Sequence, residues 1–346
     1  MKIAIVCPYA FDEPGGVQEQ VAQLTRHLNE TGHNAWIVAP GTSGPPGIRL
    51  VGRKVNVRAD QSLAPICLDP FSIRRVRESL EDADLVHIHE PFVPLVSWAA
   101  LAGQHRPIIG TFHANLSPFL QIIGHLSLPF WRRLARHMTA VTAVSTVAAE
   151  PLSPLFTNII IIPDAIDVKS YDLNVKRHLR RVLFLGRDEP RKGLNVLLKA
   201  WSRVRAEIPD AELIVLGTSR KTSLPSVHFF PRRTEDAVKQ RELAAAAVFC
   251  SPNLGRESFG ITILEAMAAG CAVVASDIPA FRGVLGEAGI FTPPGDSRAL
   301  AEALIRLLRD PTAIREAGDK NRKRAERFDW SVVLPRYLEL YRTVTH

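Results

Sequence analysis

KIAIVCPYAFDEPGGVQEQVAQLTRHL, residues 2–28, reads as one strand, one loop and one helix. The opening KIAIVC is a continuous apolar run of strand length, the pattern of a parallel strand covered on both faces. Val17, Val21, Leu24 and Leu28 then recur at helical spacing, a stripe that has to be buried against something. Strand-length apolar runs follow at 35–39, 85–88, 108–111, 140–144 and 159–162, most of them separated by segments of helical period. This alternation predicts a doubly wound α/β domain.

Pro163-Asp164 ends that series, and the polar stretch 169–180 reads as a linker. The pattern restarts at RVLFLG, 181–186, followed by a helix carrying Leu194, Leu197, Leu198, Trp201, Val204 and Ile208. Strands recur at 213–216, 248–251 and 272–275, so two similar α/β halves stand in series, as expected of a chain of 346 residues. Leu334, Leu338 and Tyr341 mark a terminal helix opening at Asp329-Trp330.

The composition, 46% hydrophobic and 23% charged, is that of a folded chain with a large core. A net charge of +8 calls for an anionic partner. The basic residues fall in short groups without the interleaved aromatics of a single-strand platform, which argues against nucleic acid. Cys7, Cys67, Cys250 and Cys271 show no metal or disulfide spacing and read as thiols of a reducing compartment. The apolar start is too short for a signal peptide, and no run approaches the roughly 20 residues of a spanning helix, so a cytoplasmic location is expected.

The chemistry concentrates in RESFGITILEAMAAG, 256–270. Glu257 stands just before a run of helix formers and Glu265 eight residues later, two turns on and on the same side. Each carboxylate can accept hydrogen bonds from two neighbouring hydroxyls, as on a sugar ring or a ribose. The N–H groups of Ser258, Phe259 and Gly260 are read as the unpaired donors of the helix's first turn, suited to a diphosphate. Arg187 and Lys192, in GRDEPRKG (186–193), follow the first strand of the second half, where ligands meet a parallel sheet. Two cations there would neutralise charge growing on a departing nucleoside diphosphate. Gly15-Gly16 would let the backbone approach a phosphate or sugar closely. His87, His89 and His113 end strands at the same kind of edge. His87 and His89 share a strand face, but no third ligand has a recognisable spacing, so no metal is assigned and a need for Mg2+ is left open.

The stretch 256–270 resembles the E-x7-E signature of glycosyltransferase family four, retaining enzymes of the GT-B fold. There the first Glu faces the donor sugar, the second faces the nucleotide ribose, and an Arg and a Lys matching Arg187 and Lys192 hold the diphosphate. PYAFDEPGGVQ, 8–18, resembles the start of the phosphatidyl-myo-inositol mannosyltransferases. That resemblance implies a loop closing over the donor, with Tyr9, Asp12 and Gln18 on the acceptor side and His113 at the reaction centre touching the donor sugar. It implies two Rossmann-like domains facing a central cleft. The first is expected to be 1–168 plus 331–346, the terminal helix crossing back; the second is 169–330. It also implies transfer of mannose from GDP-mannose to phosphatidyl-myo-inositol at the cytoplasmic membrane face, with no tightly bound cofactor. Catalysis would then be positioning plus charge stabilisation, the leaving phosphate helping to take the acceptor proton. Arg74, Arg75 and Arg77, beside Phe71 and Ile73, form a basic amphipathic helix that can dock on anionic lipid.

Four departures from the family pattern stand out. One residue fewer separates Arg187 from Lys192, ANLSP (114–118) follows His113 where a polar and basic run is usual, Asp164-Ala165 replaces Asn-Gly, and Thr218-Ser219-Arg220 replaces a Gly-rich turn. They leave open another nucleotide-sugar donor with a different acceptor. A non-catalytic nucleotide-sugar-binding protein, an epimerase and a phosphorylase are further alternatives. A dehydrogenase is disfavoured because neither half has G-x-G-x-x-G after its first strand.

Overall fold

Strand β1 (Lys2–Val6) lies between β2 (Asn34–Ala39) and β6 (Leu85–His89), parallel to both, with Ile5 opposite Ile37 on one side and His87 on the other. The computed structural model describes residues 1–59, 62–102, 105–113, 128–220, 222–231 and 236–345. Chain contacts divide the protein into two units, Met1–Ala165 with Trp330–His346, and Ile166–Asp329. The ends expected from the sequence were 168 and 330.

In the first unit the sheet order is β3-β2-β1-β6-β7-β8-β9, where β3 is Arg49–Leu50, β7 Ile108–Phe112, β8 Ala140–Ala143 and β9 Ile160–Ile161. All its pairings are parallel. A strand's side chains alternate between faces. Ile3 and Ile5 accordingly pack with Val21, Leu24 and Leu28 of the helix Gly16–Glu30, and Ala4 and Val6 pack with Val76 and Leu80 of the helix Ser72–Leu80. The terminal helix Trp330–Thr345 belongs to this unit. Trp330, Val333, Leu334, Tyr337, Leu340 and Tyr341 join the core of Ile3 and Ile5, and the Trp330 indole donates to Gln23 Oε1 at 2.7 Å. An antiparallel hairpin, β4 (Val55–Ala59) with β5 (Ser62–Ile66), stands apart from the sheet and has no counterpart in the sequence reading.

The second unit repeats the plan with the order β12-β11-β10-β13-β14-β15. Its strands are β10 (His178–Leu185), β11 (Glu212–Leu216), β12 (Val227–Phe230), β13 (Ala246–Ser251), β14 (Ala272–Ser276) and β15 (Ile290–Thr292). Leu197, Trp201 and Val204 of the helix Leu194–Glu207 cover one face, together with Leu300, Leu304 and Leu308 of the helix Ser297–Leu308. In both sheets the order reverses at the first strand, so the loops leaving β1 and β6, and those leaving β10 and β13, border a switch point where ligands of such sheets bind.

Two expectations need correction. The stretch 169–180 is no free linker: Val168–Tyr171 forms a short 3-10 helix, Tyr171 is buried, and β10 already begins at His178. The helix after Glu257 begins at Ile261, with Gly260 as its N-cap at φ +115. Ser258 and Phe259 therefore lie in the preceding loop, and Glu265 is one helical turn inside the helix rather than two turns beyond Glu257. The aromatic ring of Phe259 packs edge-on against Phe328, 5.7 Å between centroids, so its side chain serves the core.

Candidate active site

The loop leaving β10 folds onto the loop leaving β13, tied by the Leu254 N–H to the Arg191 carbonyl at 2.8 Å. Gly193 makes the approach possible. It sits at φ +69, which favours glycine, and a Cβ there would run into the Pro252 carbonyl. This brings three donors onto one oxygen of Glu257: Arg191 Nη1 at 2.5 Å, Lys192 Nζ at 2.6 Å and Asn253 Nδ2 at 2.8 Å. Ser251 at the end of β13 in turn donates to Asn253 Oδ1 at 3.0 Å. Burial pushes the Glu257 carboxyl up, but Lys192 and Arg191, with Asn253, outweigh it and hold the group below the usual carboxylate range.

The structure thus joins Glu257 to Lys192 directly, and a chain of ion pairs through Glu189 and Arg191 links it to Arg187. Arg187 Nε contacts Glu189 Oε1 at 3.1 Å, and Arg191 Nε donates to Glu189 Oε2 at 2.9 Å. Glu265 is 5% exposed, not the solvated face residue its spacing alone would allow. Tyr171 donates to its Oε1 at 2.9 Å and Lys239 donates to the same oxygen at 2.8 Å. Burial alone would lower the Lys239 ammonium, but Glu265 and Asp236 raise it above its ordinary value.

In the first unit, Gly15 is the extended N-cap (φ −163) and Gly16 the first residue of the helix Gly16–Glu30. Gln18 turns inward and donates to the carbonyls of Ala10 (3.1 Å) and Glu13 (3.2 Å), fastening the loop that leaves β1. Asp12 pairs with Lys54 at 3.3 Å, and half-buried Tyr9 makes a β-bridge to Ile66. His113, at the end of β7, is buried beside His89, Glu90 and Asp164. His87 is a packed structural histidine, bonded to the Tyr341 hydroxyl at 2.7 Å and the Thr111 hydroxyl at 2.6 Å. Among the described residues no group of three His, Cys, Asp or Glu could hold a metal ion. The segment ANLSP (114–118) lies outside the described residues.

Over its whole length the chain is 37% identical to a phosphatidyl-myo-inositol mannosyltransferase of Mycolicibacterium smegmatis, covering 100% of this chain and 94% of that one. It belongs to the phosphatidyl-myo-inositol mannosyltransferase family. The relative of that name in Mycobacterium tuberculosis H37Rv is 36% identical over 99% of this chain and 97% of its own. The model of Glycosyltransferase Family 4 matches residues 14–170, and that of Glycosyl transferases group 1 matches 180–310. Among solved structures, Anabaena HepE in complex with UDP-glucose is similar at TM-score 0.77 and 18% identity, covering 99% of this chain and 100% of that one. Sucrose-phosphate synthase from Thermosynechococcus elongatus follows at 0.75 and 20%, covering 99% and 98%. The fold is GT-B, and this family member is a glycosyltransferase.

Sequence reasoning missed Arg191, Asn253, Glu189, Tyr171 and Lys239 in this mannosyltransferase relative. Arg191 and Asn253 carried a usable signal, since both follow the C-terminal ends of strands at the switch point. Tyr171 and Lys239 reach Glu265 across 94 and 26 residues, with no local pattern to reveal them. Tyr171→Phe removes one of the two donors on a buried carboxylate oxygen, costing about 1–2 kcal/mol. The expected result is a urea midpoint lowered accordingly and a severalfold rise in the donor KM; unchanged values for both would remove Tyr171 from the site.

Proposed function

We propose that this glycosyltransferase transfers mannose, with retention, from GDP-mannose to phosphatidyl-myo-inositol at the inner membrane surface. The observation that carries the reading is the Glu257 junction, where one carboxylate meets a lysine and an arginine through hydrogen bonds of 2.5–2.6 Å. An acid suited to sugar hydroxyls and cations suited to a diphosphate share one point. Lys192 has three donors, of which Glu257 takes one, so the ammonium can serve a phosphate as well. Glu265, fastened through Oε1 by Tyr171 and Lys239, would take the ribose with its other oxygen. Arg187, Lys192 and the loop N–H groups of Ser258, Phe259 and Gly260 would hold the diphosphate, and Gly15 and Gly16 would let the backbone approach the donor closely. The acceptor would lie along Tyr9, Asp12, Gln18 and His113, with Gln18 acting through the loop it fastens.

No described helix is long and apolar enough to cross a membrane. The helix Ser72–Leu80 supports peripheral docking: Val76 and Leu80 are buried, Arg77 is exposed, the Arg74 side chain is 87% exposed, and Phe71 is 78% exposed at the helix start. Arg74 pairs with Glu78 at 2.6 Å and Arg75 lies 3.9 Å from Asp69, so part of the positive charge is already answered. Docking would combine the remainder with the Phe71 ring.

The test incubates the full chain with labelled GDP-mannose or UDP-glucose, with and without phosphatidylinositol liposomes. Label is expected in the lipid phase from GDP-mannose alone, with the protein co-sedimenting on the vesicles. Donor hydrolysis without lipid product would remove the acceptor, and lipid labelling from UDP-glucose would remove the donor.

A further inference from the structure

The ring of His113 is held at both nitrogens by protein groups. Nε2 lies 2.8 Å from His89 Nδ1 and Nδ1 lies 3.3 Å from Asp164 Oδ1, while the backbone N–H donates to Glu90 Oε1 at 2.7 Å. His89, Glu90, His113 and Asp164 are all buried, and the two imidazoles stack with centroids 5.0 Å apart. Glu90 reaches this position through a left-handed backbone at φ +51, an uncommon conformation for a residue other than glycine. With both ring nitrogens occupied, charge is what the ring of His113 has left to offer a substrate.

We propose that Asp164 and His89 are positioning residues that lock His113 as a doubly hydrogen-bonded cation, presenting fixed positive charge to the anionic groups of the reaction. The inference rests on the transferase reading above. In the cation, Nδ1–H donates to Asp164 and Nε2–H donates to His89 Nδ1, so His89 stays neutral with its own proton on Nε2. That Nε2 is buried without a hydrogen-bond partner among the described residues, which a second charge would make far costlier. Two buried carboxylates, Asp164 and Glu90, border the ring, and a neutral imidazole between them would leave their charge without this compensation.

The groups facing His113 come from several elements. β6 contributes His87 and His89, the following turn Glu90, the turn after β9 Asp164, and the terminal helix Tyr337, whose hydroxyl feels Asp164 and Arg336. Burial works against the charged ring, and Asp164 with Glu90 outweighs it, so His113 titrates above the ordinary histidine value. His89 is held well below that value by burial, then by His87 and His113.

The full chain with 15N-labelled histidine provides the test, through long-range proton–nitrogen spectra recorded from about pH 5 to 9, bracketing the ordinary histidine value. The signals of His113 are assigned by their loss in His113→Gln. Both its nitrogens are expected to carry protons at pH 7.5, with a midpoint above the ordinary histidine value. Asp164→Asn should lower that midpoint by about a unit or more, and Asp164→Glu should largely restore it. In assays above pH 7, Asp164→Asn should cut kcat about tenfold with KM little changed, and recover as pH falls. A neutral His113 at pH 7.5 in the unaltered protein overturns the proposal, whether or not the variants fold. So does a midpoint that ignores Asp164→Asn. A protonated His113 in a chain that labels no lipid would instead sink the acceptor assignment and leave this inference standing.

Discussion

Lys192→Ala is expected to slow sugar transfer at least about a hundredfold, with most of the loss in kcat, since about 2.7 kcal/mol attaches to one lost transition-state contact. At an effective dielectric near 20, a unit charge pair about 4 Å apart gains about 4 kcal/mol before desolvation, so the loss lies within what one cation can supply. Glu257→Ala should match it in size for a different reason. It removes the group proposed for the sugar hydroxyls and leaves Lys192 and Arg191, both bonded to it in the native protein, without that partner. Steady-state rates on both variants, with circular dichroism to confirm the fold, decide the matter. Near-normal turnover in either variant would withdraw that residue from the reaction.

Acid should unfold the first unit before the second. His87 is fully buried, and burial, followed by His113, pushes its imidazole down to about 3; His89 lies well below its ordinary value for the same first cause. Both are therefore neutral in the folded protein, whereas the unfolded chain takes up their protons below about pH 6.5. Their stability contribution is complete above that pH and falls as pH drops below about 6.5, for His87 down to about 3, at up to about 1.36 kcal/mol per unit for each ring. By about pH 4.5 the loss reaches roughly 2.5 kcal/mol from His87 alone. His113 does not offset it: its folded value is raised, so its contribution is already full below about pH 6.5 and declines only as pH rises through the raised value. Hydrogen exchange at pH 7, 6, 5 and 4.5 reads the units separately. Protection in β6 and β7 should fall well before that in β13 and β14, and equal protection throughout would mean that the two rings are not held neutral.

Much of this arrangement was legible in the amino-acid order, and the residues that were not share a physical reason. Continuous apolar runs mark β1, β14 and the Val182–Phe184 part of β10 because both faces are covered there. β13 reads two residues short because Ala246 and Ala247 continue an alanine-rich run from the preceding helix Asp236–Ala245, and only the flanking strands make them extended. β12 escapes because it is a short edge strand, VHFF, only partly buried. At the site, Glu257 and Lys192 are conspicuous beside glycines and helix formers, and the fold brings them into contact. Asp164 and Tyr171 sit outside any periodic segment. Their importance lies in partners 51 and 94 residues away in the chain, His113 and Glu265, which no local pattern encodes.

The terminal helix has a consequence for how the protein is made. Residues 166–329 form a continuous unit and emerge from the ribosome complete, whereas the unit begun first lacks one wall until residues 330–345 follow. Until then Ile3 and Ile5 lack part of their cover, and His87 lacks the Tyr341 hydroxyl. The half whose synthesis starts earliest is thus the last to be finished, and a nascent chain stalled short of Trp330 would expose apolar sheet surface of the kind that recruits chaperones.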